Sequence, residues 1–569
     1  MVSTFRAGSP DEFWRPVRDP QSSQNVTEAE GTAHPFACPR CTAPLRPAGA
    51  DTLICPADGA TYRREEGIWR LVLPERAEWF RPFLHAYEAV RRAEGRGSHD
   101  PAYYRALPFR DLTGRHSAEW AIRAASYRTL IARVLAPLER QRDGPLHVVD
   151  AGAGNGWLAA RLAGRGHRVV AVDLQTDPFD GLGAAIHHEA HFEAVQADFH
   201  ALPVADGWAD VVVFNGAFHY AVNETAALLE AVRALRPGGA VVIMDSPFYF
   251  DAASGARMRE EQAAALAARY GVELPPFPGR GFVAPASLVR LSRLVGLAWT
   301  FHWPVPVWRH HVRRWRYRRR AGRDPAGFPL IVGRFTGWPP SARDHLVRLA
   351  LRLRFRLAQR HRHRRPTWET VAGLRLHVLP DVFNPKLFSS GELLAQALSP
   401  RLVPPGSRVL DMGTGTGIGA LVAARWAAHV VAVDINPEAV RCARQNAALN
   451  GVADRVAVRQ GDLFAPVRGE PFDVILFNPP YFRGQPRDRW EHAWRSPDVL
   501  ERFAAGLDGH LAAGGWALLV LSTAGVYLEG LRALRRHGFT VRPVAERRLA
   551  GETLVVYRVM RYEEELAIP

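Results

Sequence analysis

Two stretches of the chain, residues 147–173 and 409–434, share one pattern of apolar and polar positions. Each begins with a short apolar run that ends in an aspartate, and a glycine-rich turn follows. An alanine-rich segment comes next, and a second apolar run closes the pattern at another aspartate. Apolar runs bounded by turns are typical of buried parallel strands, and the segment between them predicts a helix. Each stretch is therefore predicted to open a doubly wound α/β sheet with a strand, a helix and a strand.

The spacing within the two patterns is the same, which indicates an internal repeat. From Asp150 to Asp173 is 173 − 150 = 23 positions, and from Asp411 to Asp434 is 434 − 411 = 23 positions. A repeat of this length and order predicts that the chain contains the same kind of domain twice.

Two further landmarks follow each unit in the same order. A third aspartate comes after a short apolar run, as Asp198 in the first copy and as Asp462 in the second. The next predicted strand ends in an asparagine, Asn215 or Asn478. Dinucleotide dehydrogenases also use a glycine turn, but that fold does not require the last two landmarks. We therefore predict an α/β protein with two Rossmann-like domains in tandem, at residues 141–337 and 367–569.

The second copy runs from its strand directly into a short polar loop, Asn478-Pro479-Pro480-Tyr481. With these landmarks, residues 368–562 resemble the class I S-adenosylmethionine (SAM) methyltransferases. Within them the segment is similar to the amino-methylating branch, which includes release-factor glutamine methyltransferases and the N-methyltransferases of DNA and rRNA. The resemblance implies that SAM is the cofactor and that these four residues form the catalytic loop.

The chemistry of the acceptor explains why such a loop suits nitrogen methylation. The lone pair of an amide or exocyclic amino nitrogen is delocalised, so the nitrogen is a poor nucleophile. The side-chain carbonyl of Asn478 and the backbone carbonyl of Pro479 can accept its two N–H groups and orient it. Tyr481 offers a flat face on which a planar substrate can stack. The alternative is a turn without a catalytic role, because proline also ends strands.

The resemblance also implies which residues bind SAM in each copy. Glycines let the backbone turn sharply and approach a ligand, and the acid after the second strand accepts bonds from the ribose hydroxyls. The third acid is expected on the adenine side. In the first copy the implied residues are Asp150, Gly152, Gly154, Gly156, Asp173, Asp198 and Asn215. In the second copy they are Asp411, Gly413, Gly415, Gly417, Asp434, Asp462 and Asn478. Lys386 and the serine pair Ser389 and Ser390 are weaker candidates for contact with cofactor or substrate.

The first copy differs where its substrate would bind. Its strand continues into Asn215-Gly-Ala-Phe-His219-Tyr220, without two prolines, and Leu-Arg-Pro-Gly-Gly follows later. This segment resembles a broad group of UbiE-like methyltransferases that act on small molecules and RNA. His219 is a candidate general base for a hydroxyl or an acidic carbon, or a histidine that only lines the rim of the pocket. These residues leave the reaction type of the first domain open.

A cysteine cluster precedes the first copy. Cys38 and Cys41 are spaced as in a zinc knuckle, and Cys55 and Asp58 stand where a second such pair would be. The segment at residues 33–73 resembles small zinc ribbons that precede some methyltransferase domains, and the resemblance implies zinc at Cys38, Cys41, Cys55 and Asp58. Aspartate can bind zinc, and His34 is near enough in sequence to replace it. The alternative is a ribbon that keeps its shape without a metal.

The remaining segments are assigned by composition. Residues 1–32 are polar and without pattern, which predicts a disordered tail. Residues 74–140 are predicted to be helices that form a lid over the first site, and residues 338–366 a basic linker helix. The aromatic residues of the lid region are more typical of a core than of a ligand site: Trp79, Phe80, Phe83, Tyr87, Trp120 and Tyr127. A run of arginines and aromatic side chains at 303–327 suits either a phosphate backbone or a solvated insertion.

The formal net charge of +16 and the pI near 10.3 favour anionic partners such as nucleic acid. Lys386 is the only lysine, so the charge is carried by arginine, and a GC-rich genome would give the same bias. Four cysteines are too few for a disulfide scaffold, and neither a signal peptide nor a transmembrane run is evident. The expected location is the cytoplasm.

The sequence thus predicts a bifunctional SAM-dependent methyltransferase whose second domain methylates a planar amino or amide nitrogen. RNA or protein is the expected acceptor, and the oligomeric state is left open. One alternative is that a single domain is catalytic and the other a scaffold. Others are methylation of a small molecule by both domains, and a nucleic-acid-binding adaptor that only retains the two folds.

Overall fold

The computed structural model describes residues 35–270, 279–304, 314, 317–319, 321–337, 365–386, 389–480, 496, 498–523, 525, 527–549 and 552–564. The predicted disordered tail, His34, Tyr481, residues 338–364 of the predicted linker and most of the arginine-rich run at 305–320 lie outside this described part of the chain.

The described residues up to position 337 form a small antiparallel ribbon, a helical segment and a large sheet. The strands of the ribbon are β1 (Arg46–Gly49), β2 (Thr52–Ile54), β3 (Thr61–Glu65) and β4 (Ile68–Arg70). The helices before the sheet are α1 (Pro74–Ala93), α2 (Pro101–Ala106), α3 (Ser117–Leu130) and α4 (Ala136–Glu139), with a π-helical turn at Ile131–Leu135. The strands of the first domain are β5 (His147–Ala151), β6 (Arg168–Asp173), β7 (Glu193–Gln196), β8 (Ala209–Asn215), β9 (Leu235–Met244), β10 (Leu297–His302) and β11 (Leu330–Phe335). Its helices are α5 (Trp157–Ala163), α6 (Glu224–Ala234), α7 (Ala252–Tyr270) and α8 (Pro285–Val295).

The second half begins with a two-stranded hairpin and continues into a second sheet. The hairpin strands are β12 (Thr367–Val371) and β13 (Leu374–Val378). The strands of the sheet are β14 (Arg408–Met412), β15 (His429–Asp434), β16 (Val456–Gln460), β17 (Phe472–Phe477), β18 (Leu511–Ser522), β19 (Phe539–Leu549) and β20 (Glu552–Arg561). The helices are α9 (Ser389–Ala397), α10 (Ile418–Ala423), α11 (Pro437–Leu449), α12 (Val499–Leu507) and α13 (Tyr527–Arg536).

The two sheets have the same topology, which confirms the predicted duplication of an α/β fold. The first has the order β7-β6-β5-β8-β9-β11-β10, and the second has the order β16-β15-β14-β17-β18-β20-β19. In each, the first five strands pair in parallel, and a carboxy-terminal hairpin adds two antiparallel strands. The strands that open the two units, β5 and β14, lie in the middle of their sheets, where the order of the strands reverses. Ligands of such sheets bind in the crevice at the carboxyl ends of these strands.

The central strands form because their side chains can be buried on both faces of the sheet. All seven residues of β8 are buried, and in β14 every residue except the first is buried. Valine is frequent in these strands, and its branched side chain packs well on a pleated surface. The acids and the asparagines lie at or just beyond the carboxyl ends of the central strands, where each apolar run stops.

The ribbon is joined to the first sheet, which the sequence did not predict. Strand β4 pairs in parallel with β7, so that the ribbon and the domain share one sheet of eleven strands. The backbone N–H of Leu71 donates to the carbonyl of Gln196 at 2.9 Å and prolongs this pairing. The ribbon therefore covers the edge strand that the first domain would otherwise expose.

The two halves contact each other through buried side chains. The hydroxyl of Tyr527 on α13 donates to the carbonyl of Leu294 on α8 at 2.8 Å. The side-chain amide of Asn223 donates to the carbonyl of Val541 on β19 at 2.9 Å. Among the described helices, none is long and apolar enough to cross a membrane.

Candidate active sites

In the second domain, Asp434 is held at the end of β15 by two backbone donors. The N–H of Gly415 donates to one carboxylate oxygen at 2.9 Å, and the N–H of Asn436 donates to the other at 2.9 Å. Gly415 has φ of 55°, a conformation that residues with a Cβ rarely adopt, so the turn depends on glycine. The carboxylate is thereby fixed at the cavity wall, where it can accept bonds from ligand hydroxyls.

The first domain repeats this arrangement around Asp173. The N–H of Gly154 and the N–H of Gln175 each donate to one of its oxygens at 2.8 Å. Gly154 has φ of 54°, nearly the value of its counterpart. Burial raises the pKa of Asp173 and of Asp434, while these backbone donors oppose the rise. The same arrangement of a carboxylate and two backbone donors is thus present in both copies, and ribose binding by Asp173 and Asp434 stays a prediction.

The first acid of each unit, Asp411 or Asp150, has different hydrogen-bond partners and a different pKa in the two copies. The hydroxyl of Thr414 donates to Asp411 at 2.5 Å, and the N–H of Ala420 donates to it at 2.9 Å. Burial nevertheless raises the pKa of Asp411 to about 6. Position 153 in the first copy is an alanine where the second copy has Thr414, so Asp150 lacks the hydroxyl donor of its counterpart; the backbone N–H of Ala159 and the side chain of Asn215 only weakly oppose the effect of its burial. Burial, together with the nearby charge of Asp173, raises the pKa of Asp150 to about 8.

The predicted catalytic loop begins where β17 ends, and its first three residues line a cavity of about 520 Å³. The side-chain Nδ2 of Asn478 donates to the hydroxyl of Ser390 near the start of α9, at 3.2 Å. Ser390 is buried, so this contact is shielded from water. The donor end of the amide is engaged by the protein, and its carbonyl oxygen is the end suited to accept an N–H group.

The same cavity contains residues of the second copy that were predicted to bind the cofactor, since the residues that line it include Asp411, Gly413, Gly415 and Asp434. Asp462 lies on its wall with the side chain 47% exposed, and Arg502 of α12 donates to it at 2.6 Å. The sequence did not identify Arg502, because nothing in the helical pattern of α12 marks one arginine as facing the cavity.

A smaller cavity of about 140 Å³ occupies the corresponding place in the first domain. Its wall includes Gly152, Gly154, Asp173, Asp198 and Asn215, all of which the sequence implies as cofactor residues. Helix α1 contributes aromatic side chains to its wall, although the sequence favoured a core position over a ligand site for them. Phe80, Phe83 and Tyr87 line the cavity, whereas Trp120 and Tyr127 pack edge-on against Trp157.

Asp198 is bonded far more extensively than its counterpart Asp462. Its side chain is 4% exposed and forms a buried ion pair with Arg76 of α1. It also accepts from the ring of His200 at 2.6 Å and from the hydroxyl of Tyr562 in the second half at 3.1 Å. Burial alone would raise the pKa of Asp198, but Arg76 and His200 outweigh it and hold the pKa far below its usual value.

His219, the candidate base of the first domain, is partly buried beside Ser246. Its Nδ1 lies 3.1 Å from the hydroxyl of Ser246. Burial lowers the pKa of His219 to about 3, which makes the ring a weak base. Its neighbour Tyr220 is among the residues that line the first cavity, whereas His219 is not. The geometry therefore favours the interpretation of His219 as a residue beside the pocket.

The ribbon brings its four candidate ligands together. The ligand atoms of Cys38, Cys41, Cys55 and Asp58 all lie within 4.8 Å of one another. The sulfur of Cys38 is 3.2 Å from an oxygen of Asp58, and the sulfurs of Cys41 and Cys55 are 3.5 Å apart. Sulfurs bound to one tetrahedral zinc at about 2.3 Å are separated by about 3.8 Å, so the cluster fits a zinc ion.

Two protein families match the chain, one in each half. Residues 149–243 match the family described as Methyltransferase domain. Residues 373–542 match the family described as Methyltransferase small domain. The first match contains the glycine turn of the first copy and its strands β6 to β8, and the second contains the glycine turn of the second copy and Asn478.

Three relatives illustrate what the chain is similar to. The release factor glutamine methyltransferase of Cereibacter sphaeroides is 40% identical over 167 residues, which cover 27% of this chain and 58% of that protein. The ribosomal protein uL3 glutamine methyltransferase of Bordetella pertussis is 34% identical over 165 residues, covering 26% of this chain and 55% of that protein. A protein of Methanocaldococcus jannaschii assigned as a protein N5-glutamine methyltransferase is 32% identical over 201 residues, covering 34% of this chain and 98% of that protein. The chain thus spans little more than half the length of the first two relatives and nearly all of the third.

Proposed function

Because the chain belongs to the class I S-adenosylmethionine-dependent methyltransferases, we propose that its second domain methylates the side-chain amide nitrogen of a glutamine in a protein. The observation that carries the proposal is the position of Asn478. It ends the strand beside the cofactor cradle, lines the larger cavity and is oriented by Ser390.

The residues of the second cavity are suited to hold both reactants. Asp434 would bind the ribose hydroxyls, and Asp462 would take the adenine side. SAM supplies an electrophilic methyl group on a sulfonium sulfur. Asn478 and Pro479 would accept the two N–H groups of the substrate amide through their carbonyl oxygens, which turns the nitrogen toward that methyl group.

The proposed transfer balances without a protein base. The amide nitrogen forms a bond to the methyl carbon, and the electrons of the broken carbon–sulfur bond remain on sulfur. The nitrogen then loses one proton to water. The described titratable residues on the cavity wall are Asp381, Asp411, Asp434, Asp462, Asp498 and Arg502. Of these, Asp434 and Asp462 have the binding roles given above. An amide that loses its proton to water after methyl transfer needs none of the others as a base, so catalysis is assigned to positioning.

A protein acceptor is favoured by the relatives, two of which are named for glutamine methylation of a release factor and of ribosomal protein uL3. The net charge of +16 suits an acceptor that is presented near rRNA. An amino group of RNA is compatible with the same loop, so RNA is the second candidate acceptor.

The first domain is proposed to bind SAM as well, because Asp173 and Gly154 reproduce the cradle of the second domain. The ribbon is proposed to hold zinc through Cys38, Cys41, Cys55 and Asp58. A zinc ion there would tie the turn at residues 38–41 to the turn at residues 55–58, which is how such ribbons gain stability.

The test is methyl transfer by the full chain with methyl-labelled SAM. Release factor, ribosomal proteins and rRNA are offered as acceptors, and the products are hydrolysed and analysed. We expect N5-methylglutamine, and we expect Asn478→Ala to lose transfer by on the order of 100-fold with nearly unchanged SAM affinity. Asn478→Asp should also fail, because it adds a charge beside the cofactor. Label on an RNA base would favour the second candidate, and label on oxygen or carbon would exclude the amino-methylating assignment.

A further inference from the structure

The third aspartate of the repeat has a different environment in each half. Asp462 of the second domain is 47% exposed and, within the described part of the chain, forms an ion pair with Arg502 alone. Asp198 of the first domain is 4% exposed, lines the first cavity and is bonded on both oxygens. Since the two residues occupy equivalent places in the two sheets, their difference arises from what packs around them.

Five donors reach the carboxylate of Asp198. One oxygen accepts from the backbone N–H and from the ring Nδ1 of His200, at 2.9 and 2.6 Å. The other accepts from the Nε of Arg76 at 2.9 Å, from its Nη2, and from the hydroxyl of Tyr562 at 3.1 Å. A carboxylate offers about four acceptor positions, so an adenine amino group must displace one of these donors.

Tyr562 is the donor that can be displaced at the lowest cost. Its contact is the longest of those given above, and it is a neutral hydroxyl, whereas the Arg76 contact is a buried ion pair. Breaking a buried ion pair leaves an uncompensated charge, and both contacts of His200 are local. The guanidinium carbons of Arg76 and Arg535 lie over the ring of Tyr562, 4.4 and 5.0 Å from its centroid, and these contacts do not depend on the hydroxyl contact with Asp198.

Resting on the SAM binding proposed above for the first domain, we propose that this cofactor site is shared between the two halves: the adenine amino group of SAM displaces the Tyr562 hydroxyl from Asp198 when SAM binds there. Tyr562 belongs to the second half and lies 364 positions from Asp198 in sequence. It is a positioning residue, because it acts on the ligand through Asp198. The first site therefore binds SAM more weakly than the second, and a residue of the other half sets its affinity.

The proposal has a reciprocal consequence. If the contact between Tyr562 and Asp198 lowers the affinity of the first site for SAM, then SAM bound at that site destabilises the contact by the same factor. The smaller volume of the first cavity, about 140 Å³ against about 520 Å³, agrees with a site that must open before it binds.

The test measures binding at the first site alone. The full chain carries Asp434→Ala to remove SAM binding from the second domain, and calorimetry measures S-adenosylhomocysteine and its deaminated analogue, in which a carbonyl oxygen replaces the adenine amino group. Adding Tyr562→Phe should tighten binding of S-adenosylhomocysteine roughly tenfold, which corresponds to about 1.4 kcal/mol. Binding of the deaminated analogue should not change, because that ligand has no amino group to donate.

Tyr527→Phe is the matched control, because it also removes a buried hydroxyl that bridges the halves but does not touch Asp198. It should leave both affinities as they were. If Tyr562→Phe does not fold, Arg76→Lys replaces two donors with one and should act in the same direction.

Three results would overturn the proposal: unchanged affinity in the Tyr562→Phe variant, an equal gain for both ligands, or two SAM sites of equal affinity in the wild type. Each concerns binding in the first half, so none depends on whether the second domain methylates glutamine.

Discussion

Ser390 gives the sharpest test of how the catalytic loop is held. Its hydroxyl accepts from the Nδ2 of Asn478 at 3.2 Å, and its side chain is buried. Ser390→Ala removes this acceptor without adding any atom to the site. The amide of Asn478 then loses a contact that helps to distinguish its donor end from its acceptor end, so the productive orientation is held less firmly.

The size of the effect follows from the bond that is lost. A hydrogen bond between neutral groups contributes about 1 kcal/mol net, and 3.2 Å is at the long end of the usual range. A loss of about 1 kcal/mol from transition-state binding lowers kcat roughly fivefold. Asn478→Ala removes the orienting carbonyl itself and should cost on the order of 100-fold. Ser390→Ala should therefore be the milder change.

The assay compares kcat, the KM for the acceptor and the dissociation constant for SAM in the full chain. We expect kcat to fall and SAM binding to stay the same, because Asp434 and the glycine turn are untouched. Ser389→Ala, which removes the neighbouring hydroxyl on the same helix, serves as the control. In the double variant of Ser390 and Asn478 the loss should equal that of Asn478→Ala alone, since both changes act through one group.

Two results would refute this reasoning. One is wild-type kcat in Ser390→Ala, which would mean that the contact does not orient Asn478. The other is a fully additive loss in the double variant, which would mean that Ser390 acts on something other than Asn478.

Three further predictions concern the cofactor sites and the ribbon. Asp434→Ala should abolish the tighter SAM site, and Asp173→Ala should abolish the weaker one. Each variant loses hydrogen bonds to the ribose that contribute roughly 1.5–3 kcal/mol each. If calorimetry finds a single SAM site in the wild type, the first domain is a scaffold. Elemental analysis of the purified chain should find about one zinc ion. Cys55→Ser should lose the ion, and Asp58→Ala should bind it more weakly. A metal-free wild type of normal stability would contradict the zinc site. The pKa of Asp150 is raised from 3.8 to about 8, so the folded state holds a proton that the unfolded state releases, and stability should fall by up to about 1.4 kcal/mol per pH unit as pH rises from 4 to 8. Asp150→Asn should remove that dependence in denaturation experiments without SAM, and an unchanged pH slope would count against it.

The sequence predicted those parts of the sites that are built from neighbouring elements. Asp173 and Gly154 are 19 positions apart in one strand–helix–strand unit, and so are Asp434 and Gly415. Within such a unit the apolar runs and the glycines determine where the chain turns, and the turn itself brings the backbone donor to the carboxylate. The repeat of four landmarks was sufficient to predict two α/β domains for the same reason. The position of Asn478 followed from the strand that it ends.

The tertiary structure decided what each equivalent residue contacts. The sequence gives Asp198 and Asp462 the same place in their domains, yet one is buried in an ion pair and the other is half exposed. The partners of Asp198 are Arg76, 122 positions away, and Tyr562, 364 positions away. The same holds for Ser390, which lies 88 positions from the asparagine that it orients. Local sequence patterns determine the strands and turns, because these depend on neighbouring residues. The charge state and the hydrogen-bonding capacity of a buried carboxylate depend instead on the distant segments that fold against it.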